Sequence, residues 1–101
     1  MQLITVSELH ERLANGEKPN LVDVREISEH NEFNIGGELI PLGKIKNMET
    51  DQLDALKDQE IICYCRSGNR SGQACQILDM LGFTNTKNLQ GGMLAWQEKV
   101  R

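Results

Sequence analysis

The residues of this chain that could do chemistry concentrate in one run, Cys63-Tyr64-Cys65-Arg66-Ser67-Gly68-Asn69-Arg70-Ser71. The apolar stretch Ile61-Ile62-Cys63-Tyr64 stops at Cys65, and a helix is predicted from Ser71 to Leu81. A strand that ends in cysteine a few residues before a helix sets a thiol over a bowl of backbone N–H groups. Those amides and the helix N-terminus carry partial positive charge and bind anions. The same field favours thiolate over thiol. Arg66 and Arg70 add full positive charges, so the pattern predicts a nucleophilic Cys65 that handles an oxyanion. A free cysteine with a pKa near ~8.5 is only about 3% thiolate at pH 7. Lowering that value by two requires about 2.7 kcal/mol of preference for the thiolate. A helix terminus supplies about 0.3–1 kcal/mol, or ~2 where partly buried. Direct N–H···S contacts and the arginines must supply the rest. The competing reading, a structural cysteine packed in the core, leaves the charge of the loop unexplained.

The elements that must position this loop follow from capping and periodicity. Thr5-Val6-Ser7-Glu8 is a capping box that opens a helix carrying Leu9 and Leu13, and Asn15-Gly16 ends it. Leu21-Val22-Asp23-Val24 reads as a short buried strand. Residues 26–33 read as a short helix with Ile27 and Phe33 as apolar anchors. Leu39-Ile40-Pro41-Leu42 is short and apolar, and Pro41 demotes it to an edge. Asn47 is placed to cap a helix through Lys57, with Met48, Leu53 and Leu56 on its apolar side. Glu60 to Tyr64 is the strand leading to the loop. After it come the helix with Ala74, Ile77, Leu78 and Leu81 inward, and Gly82 as its C′ residue. Thr84 to Leu89 alternates weakly as a strand, and Gly91-Gly92 opens a last helix with Met93, Leu94 and Trp96. Alternating short strands and helices predict an α/β sandwich with a mostly parallel sheet of about five short strands flanked by helices. Ligands of such sheets sit at the carboxyl ends of strands, where Cys65 lies.

With 101 residues and 39% hydrophobic content, the chain reads as one domain, 1–101. Its net charge of −4 argues against broad binding of nucleic acid or of an anionic membrane. No signal peptide or apolar run of spanning length is evident. Three cysteines make a poor disulfide framework, and together these features predict a reducing, cytoplasmic setting. No apolar helix face is surplus to the core, so a monomer is expected. No metal or other cofactor is expected: only His10 and His30 could complete a site with Cys63 and Cys65, and both read as solvated.

The chain resembles the rhodanese family of sulfurtransferases in its single-domain form, over nearly its whole length. The resemblance is carried in order by Thr5 to Leu9, by Asp23-Val24-Arg25, by Ile40-Pro41-Leu42, by Cys65 to Arg70, and by Leu89 with Gly91 to Trp96. It implies a three-layer sandwich and a catalytic Cys65. That cysteine takes sulfane sulfur from a donor such as thiosulfate, holds it as a persulfide, and passes it to a thiophilic acceptor such as cyanide or a thiol. The amides from Arg66 through Ser67, Gly68 and Asn69 to Arg70 would cradle the persulfide, and Arg66 and Arg70 would bind the donor's sulfonate. A planar guanidinium suits an oxyanion, Gly68 lets the loop curl, and Ser71 either caps the helix or offers its hydroxyl to the loop. One departure is visible: the family's Gly-His-Ile-Pro-Gly turn is here Phe33-Asn34-Ile35-Gly36-Gly37.

Related phosphatase loops place their arginine six positions after the cysteine. Here Arg70 comes five after Cys65, a loop that fits sulfur better than phosphate, so a phosphatase or arsenate reductase ranks below the sulfurtransferase. A module that exchanges sulfur with trafficking proteins, without efficient thiosulfate turnover, is the alternative from another class. Asp23 and Arg25 read as structural support for the loop. Cys63 and Cys75 read as core residues, with a resolving role for Cys75 as its sharper alternative. Trp96 and Met93 read as core.

Overall fold

The computed structural model describes residues 1–100. Its elements run β1 (Gln2–Ile4), α1 (Val6–Ala14), β2 (Asn20–Asp23), α2 (Ile27–Glu32), β3 (Glu38–Leu39) and α3 (Leu42–Lys46). A 3-10 helix (Asp51–Leu56), β4 (Glu60–Tyr64), α4 (Asn69–Met80), β5 (Asn85–Leu89) and α5 (Gly92–Lys99) complete it. The sheet order is β1-β5-β4-β2-β3 and every pairing is parallel. The expected α/β sandwich is therefore present, with a wholly parallel sheet.

β4 is the central strand, and Ile61 to Tyr64 are all buried, the continuous apolar run of a strand covered on both faces. Its residues alternate between two cores. Ile61, Cys63 and Cys65 pack with Val22, Ile45, Leu53, Ala74 and Leu78 beneath α3 and α4. Ile62 and Tyr64 pack with Leu9, Leu89, Met93 and Trp96 beneath α1 and α5. Trp96 and Met93 are core residues, as expected. The capping box of α1 forms: Glu8 N donates to Thr5 Oγ1 at 3.1 Å and Thr5 N to Glu8 Oε1 at 3.2 Å.

Four expectations need correction. The helix from Asn47 to Lys57 does not form. Asn47 closes α3, Met48 turns to φ 60°, and a 3-10 helix begins only after Thr50. A left-handed residue ends an α-helix whatever the periodicity beyond it. Leu53 is buried there, as its spacing predicted, but Met48 is exposed. Next, Ile27 and Phe33 do not anchor α2: they are 62% and 37% exposed, and α2 contains no buried residue. α4 starts at Asn69, after Gly68 in the left-handed region at φ 100°, so Ser71 lies inside the helix and is not its cap. Finally, His30 is not a freely solvated side chain, because its Nδ1 lies 2.9 Å from Asp23 Oδ2. The polar β5 is interior, between β1 and β4, because its inward residues Thr86 and Asn88 both find side-chain partners.

Candidate active site

β2 and β4 are neighbours with Asp23 level with Tyr64, and Val24 N donates to Tyr64 O at 3.0 Å. The carboxyl ends of these strands therefore bring Arg25 and Cys65 to the same edge of the sheet. Cys65 is 1% exposed. Gly68 N donates to its Sγ at 3.2 Å and Ser71 N at 3.3 Å, and Ser71 Oγ lies 3.3 Å away. Burial pushes the Cys65 thiol up, but the Ser71 hydroxyl and the Ser71, Gly68 and Ser67 amides outweigh it, and the net displacement is below the ordinary cysteine value. Of the amides expected from Arg66 to Arg70, that of Gly68 donates to the sulfur, joined by Ser71 N from beyond that range, and the Ser71 hydroxyl faces both the sulfur and Asn88.

The loop is held from behind by the turn into α5. Met93 N donates to Cys65 O and Leu94 N to Arg66 O, each at 2.9 Å. Only a glycine fits at Gly92, which sits at φ 56° against the backbone of Cys65 and Arg66. From β5, Asn88 Nδ2 donates to Gly68 O at 3.0 Å, and Asn88 Oδ1 accepts from Ser71 Oγ at 2.5 Å. Sequence reasoning missed Asn88. The available signal was its inward register on an alternating strand, where a buried polar side chain needs a partner.

Arg66, Ser67 and Asn69 are exposed at the mouth of the loop. Arg70 is not free: its Nη1 and Nη2 donate to Glu29 Oε1 and Oε2 at 2.8 and 2.9 Å. Glu29, on α2, also escaped sequence reasoning, since nothing local marks a glutamate as the partner of an arginine 41 residues on. Arg70 draws the Glu29 carboxyl down to about 2, and the Arg70 guanidinium is raised in turn. A cleft of about 450 Å³ opens beside the loop, lined by Arg25, Arg66, Glu29, Glu32, Phe33, Met93, Leu94 and Gln97. Its charged lining balances two arginines against two glutamates.

Asp23 is fully buried and Arg25 is 5% exposed. Asp23 accepts from Arg25 Nε at 2.9 Å, Nη2 at 2.7 Å and the Arg25 amide at 3.0 Å. Arg25 Nη2 also donates to Phe33 O and its guanidinium lies 5.7 Å over the Tyr64 ring, so the pair ties β2 to the segment after α2. Asp23→Asn is expected to cost about 3 kcal/mol, because it leaves a buried guanidinium uncompensated. Denaturant titration reads this as a lower midpoint with unchanged slope. Burial pushes the Asp23 carboxyl up, but its bonds to Arg25 and His30 hold it below the ordinary aspartate value. A depressed carboxylate stabilises the fold above its unfolded value, and that contribution is lost as pH falls through the folded value. The wild type should therefore lose stability at acid pH more steeply than Asp23→Asn.

Cys63 and Cys75 are both fully buried. The neighbouring Cys75 and burial push the Cys63 thiol well up. Cys63 and Cys75 both belong to the core cluster beneath α4, the packing role expected of them. Among the described residues no helix is long and apolar enough to cross a membrane.

Comparison with known proteins supplies the family. Residues 5–99 match the family model for the rhodanese-like domain. The chain is 41% identical over 100 residues to YtwF of Bacillus subtilis (strain 168), provisionally named a sulfurtransferase, covering 97% of this chain and 92% of that one. It is 37% identical over 94 residues to a sulfurtransferase of Allochromatium vinosum, covering 92% and 85%. Its fold superposes on the human single-domain sulfurtransferase TSTD1 with a TM-score of 0.82 at 29% identity, covering 100% of this chain and 99% of that one. With the family model spanning nearly every residue, from the capping box at Thr5 to the end of the helix that braces the cysteine loop, the chain belongs to the rhodanese-like domain family.

Proposed function

We propose that this rhodanese-family sulfurtransferase carries sulfane sulfur as a persulfide on Cys65. The observation that carries the reading is the set of N–H donors converging on Cys65 Sγ from Gly68 and Ser71. With thiosulfate as donor, the Cys65 thiolate attacks the outer sulfur. An Sγ–S bond forms, the S–S bond of thiosulfate breaks, and its electron pair leaves with sulfite. A thiophilic acceptor such as cyanide or a thiolate then attacks the outer sulfur and returns Cys65 as thiolate. The amides face the charge that builds on sulfur and need no rearrangement to stabilise it. Because Cys65 is 1% exposed, the donor must present its sulfur on a thin end. Incubation of the reduced protein with thiosulfate should add one sulfur atom, mapped by mass spectrometry to Cys65 and removed by cyanide. An adduct on Cys63 or Cys75, or none from any donor, would overturn the reading.

A second reading, a carrier loaded by a partner protein, is favoured by one observation. Glu29 occupies the Arg70 guanidinium, and the cleft is balanced in charge, which suits a dianionic donor poorly. Glu29→Gln removes one negative charge near the site. For a dianion roughly 8 Å away in mostly aqueous surroundings this is worth about 1 kcal/mol. The expected result is about a fivefold rise in kcat/KM for thiosulfate, mainly through KM and fading with salt. A fall in kcat/KM would show that Glu29 serves only to orient Arg70.

A further inference from the structure

Asn88 lies across the loop from Cys65 and is 7% exposed. The carbonyl of Gly68, which can only accept, orients its amide: Nδ2 faces Gly68 O and Oδ1 faces Ser71. An amide oxygen cannot donate, so the 2.5 Å contact contains the Ser71 hydroxyl proton. A hydroxyl has one proton, yet the same Oγ also lies 3.3 Å from Cys65 Sγ. With the proton committed to Asn88, Ser71 meets the sulfur through a lone pair and accepts from S–H. A thiolate in that place needs the reverse, the hydroxyl donating to sulfur. Asn88 and the thiolate therefore compete for one hydrogen.

We propose that Asn88 is a positioning residue that holds the Ser71 hydroxyl proton away from Cys65 in the resting thiol and yields it when the thiolate forms. The inference rests on the reading of Cys65 as the nucleophile. On ionisation the thiol proton leaves to solvent. It cannot travel along Ser71 and Asn88, because a neutral amide oxygen is not a base. The Ser71 hydroxyl rotates, no bond between heavy atoms changes, and the Gly68 and Ser71 amides donate to sulfur throughout. Asn88 thus makes the cysteine ionise less readily than it would beside an unengaged Ser71 hydroxyl, and lets the gain from the hydroxyl arrive only with the charge.

The other charged and titratable groups near Cys65 are few. Arg70 of α4 is tied to Glu29 of α2, Arg25 at the end of β2 is tied to Asp23, Arg66 follows Cys65 in the chain, and Cys63 of β4 is held neutral by burial and Cys75. Met93 and Leu94 of α5, which hold the loop from behind, are uncharged.

The test is the pH profile of Cys65 alkylation by iodoacetamide, a neutral probe, read by peptide mapping so that Cys63 and Cys75 do not contribute. Asn88→Leu and Asn88→Ala are compared with the wild type, each also in a Ser71→Ala background. The two replacements leave different volumes, and thermal melts show which proteins are folded. The expected result is that both folded Asn88 variants move the midpoint down by about one pH unit, a roughly tenfold faster reaction below it. The move should vanish when Ser71 is alanine. No displacement, an upward one, or an equal downward one without the Ser71 hydroxyl would overturn the proposal. Alkylation needs no sulfur donor, so its outcome is independent of whether sulfur loads on Cys65.

Discussion

Cys65→Ser is expected to abolish sulfur loading and turnover, a loss of at least about 10³-fold, while the protein stays folded. The argument has two halves. A serine hydroxyl at neutral pH offers no anion comparable to a thiolate, so the amides that converge on position 65 have no charge to stabilise before attack. The same amides, from Gly68 and Ser71, find an acceptor in the serine oxygen, so no buried N–H is orphaned. The structural cost is a modest loss of packing, about 1 kcal/mol, or roughly a 4–8 °C drop in Tm for a domain of this length. Intact-mass measurement after exposure to thiosulfate reads the first half and a thermal melt reads the second. Retained loading in the folded variant would remove Cys65 from the mechanism.

Gly92→Ala should damage both stability and activity. A Cβ there would lie 2.6 Å from the carbonyl carbon and oxygen of Arg66, and closer still to Cys65 O. These are backbone atoms and cannot step aside by changing rotamer. The residue also sits at φ 56°, where an L side chain costs about 1–2 kcal/mol. Overpacking adds about 1–3 kcal/mol or more, so a total near 4 kcal/mol is expected, a large share of the ~5–15 kcal/mol that holds a domain. The strain is relieved only by moving the carbonyls that Met93 and Leu94 hold, and those carbonyls belong to the cysteine and the first residue of its loop. A displacement of about 1 Å there costs on the order of 10²-fold in rate. Urea titration and kcat/KM together check this. A variant with wild-type stability and rate would show that the turn yields more freely than its contacts imply.

The parts of this fold that were legible in the sequence are those written in short-range chemistry. Thr5 and Glu8 cap α1 because both partners lie within one turn. Gly82 ends α4 because a left-handed residue favours glycine there. The buried run Ile61 to Tyr64 marks the central strand because both faces must be apolar. Local signals failed where a distant contact decided. Asn47 carries the chemistry of an N-cap but serves as the end of α3, since Ile45 is drawn into the core and Met48 must turn outward. Ile27 and Phe33 have the residue types of core anchors, yet α2 is held chiefly by charged bonds, Glu29 to Arg70 and His30 to Asp23, and leaves those side chains at the surface.

The same division runs through the site. By itself the sequence determined which thiol stands at the end of the central strand beneath the loop amides, because an apolar run ending in cysteine, a glycine and a helix start are neighbours in the chain. It also marked Asp23 and Arg25, two residues apart on one strand end. Only the tertiary structure decided that Glu29 takes the Arg70 guanidinium, that Asn88 takes the Ser71 hydroxyl, and that Gly92 presses on the loop. Those contacts join residues 41, 17 and about 27 positions apart. They exist because the parallel sheet lays β5 beside β4, and because α2, after β2 on its other side, brings Glu29 within reach of α4. No local propensity encodes which strands become neighbours. That is settled by which arrangement buries both faces of β4 at once, and the hydrogen bonds around Cys65 follow from it.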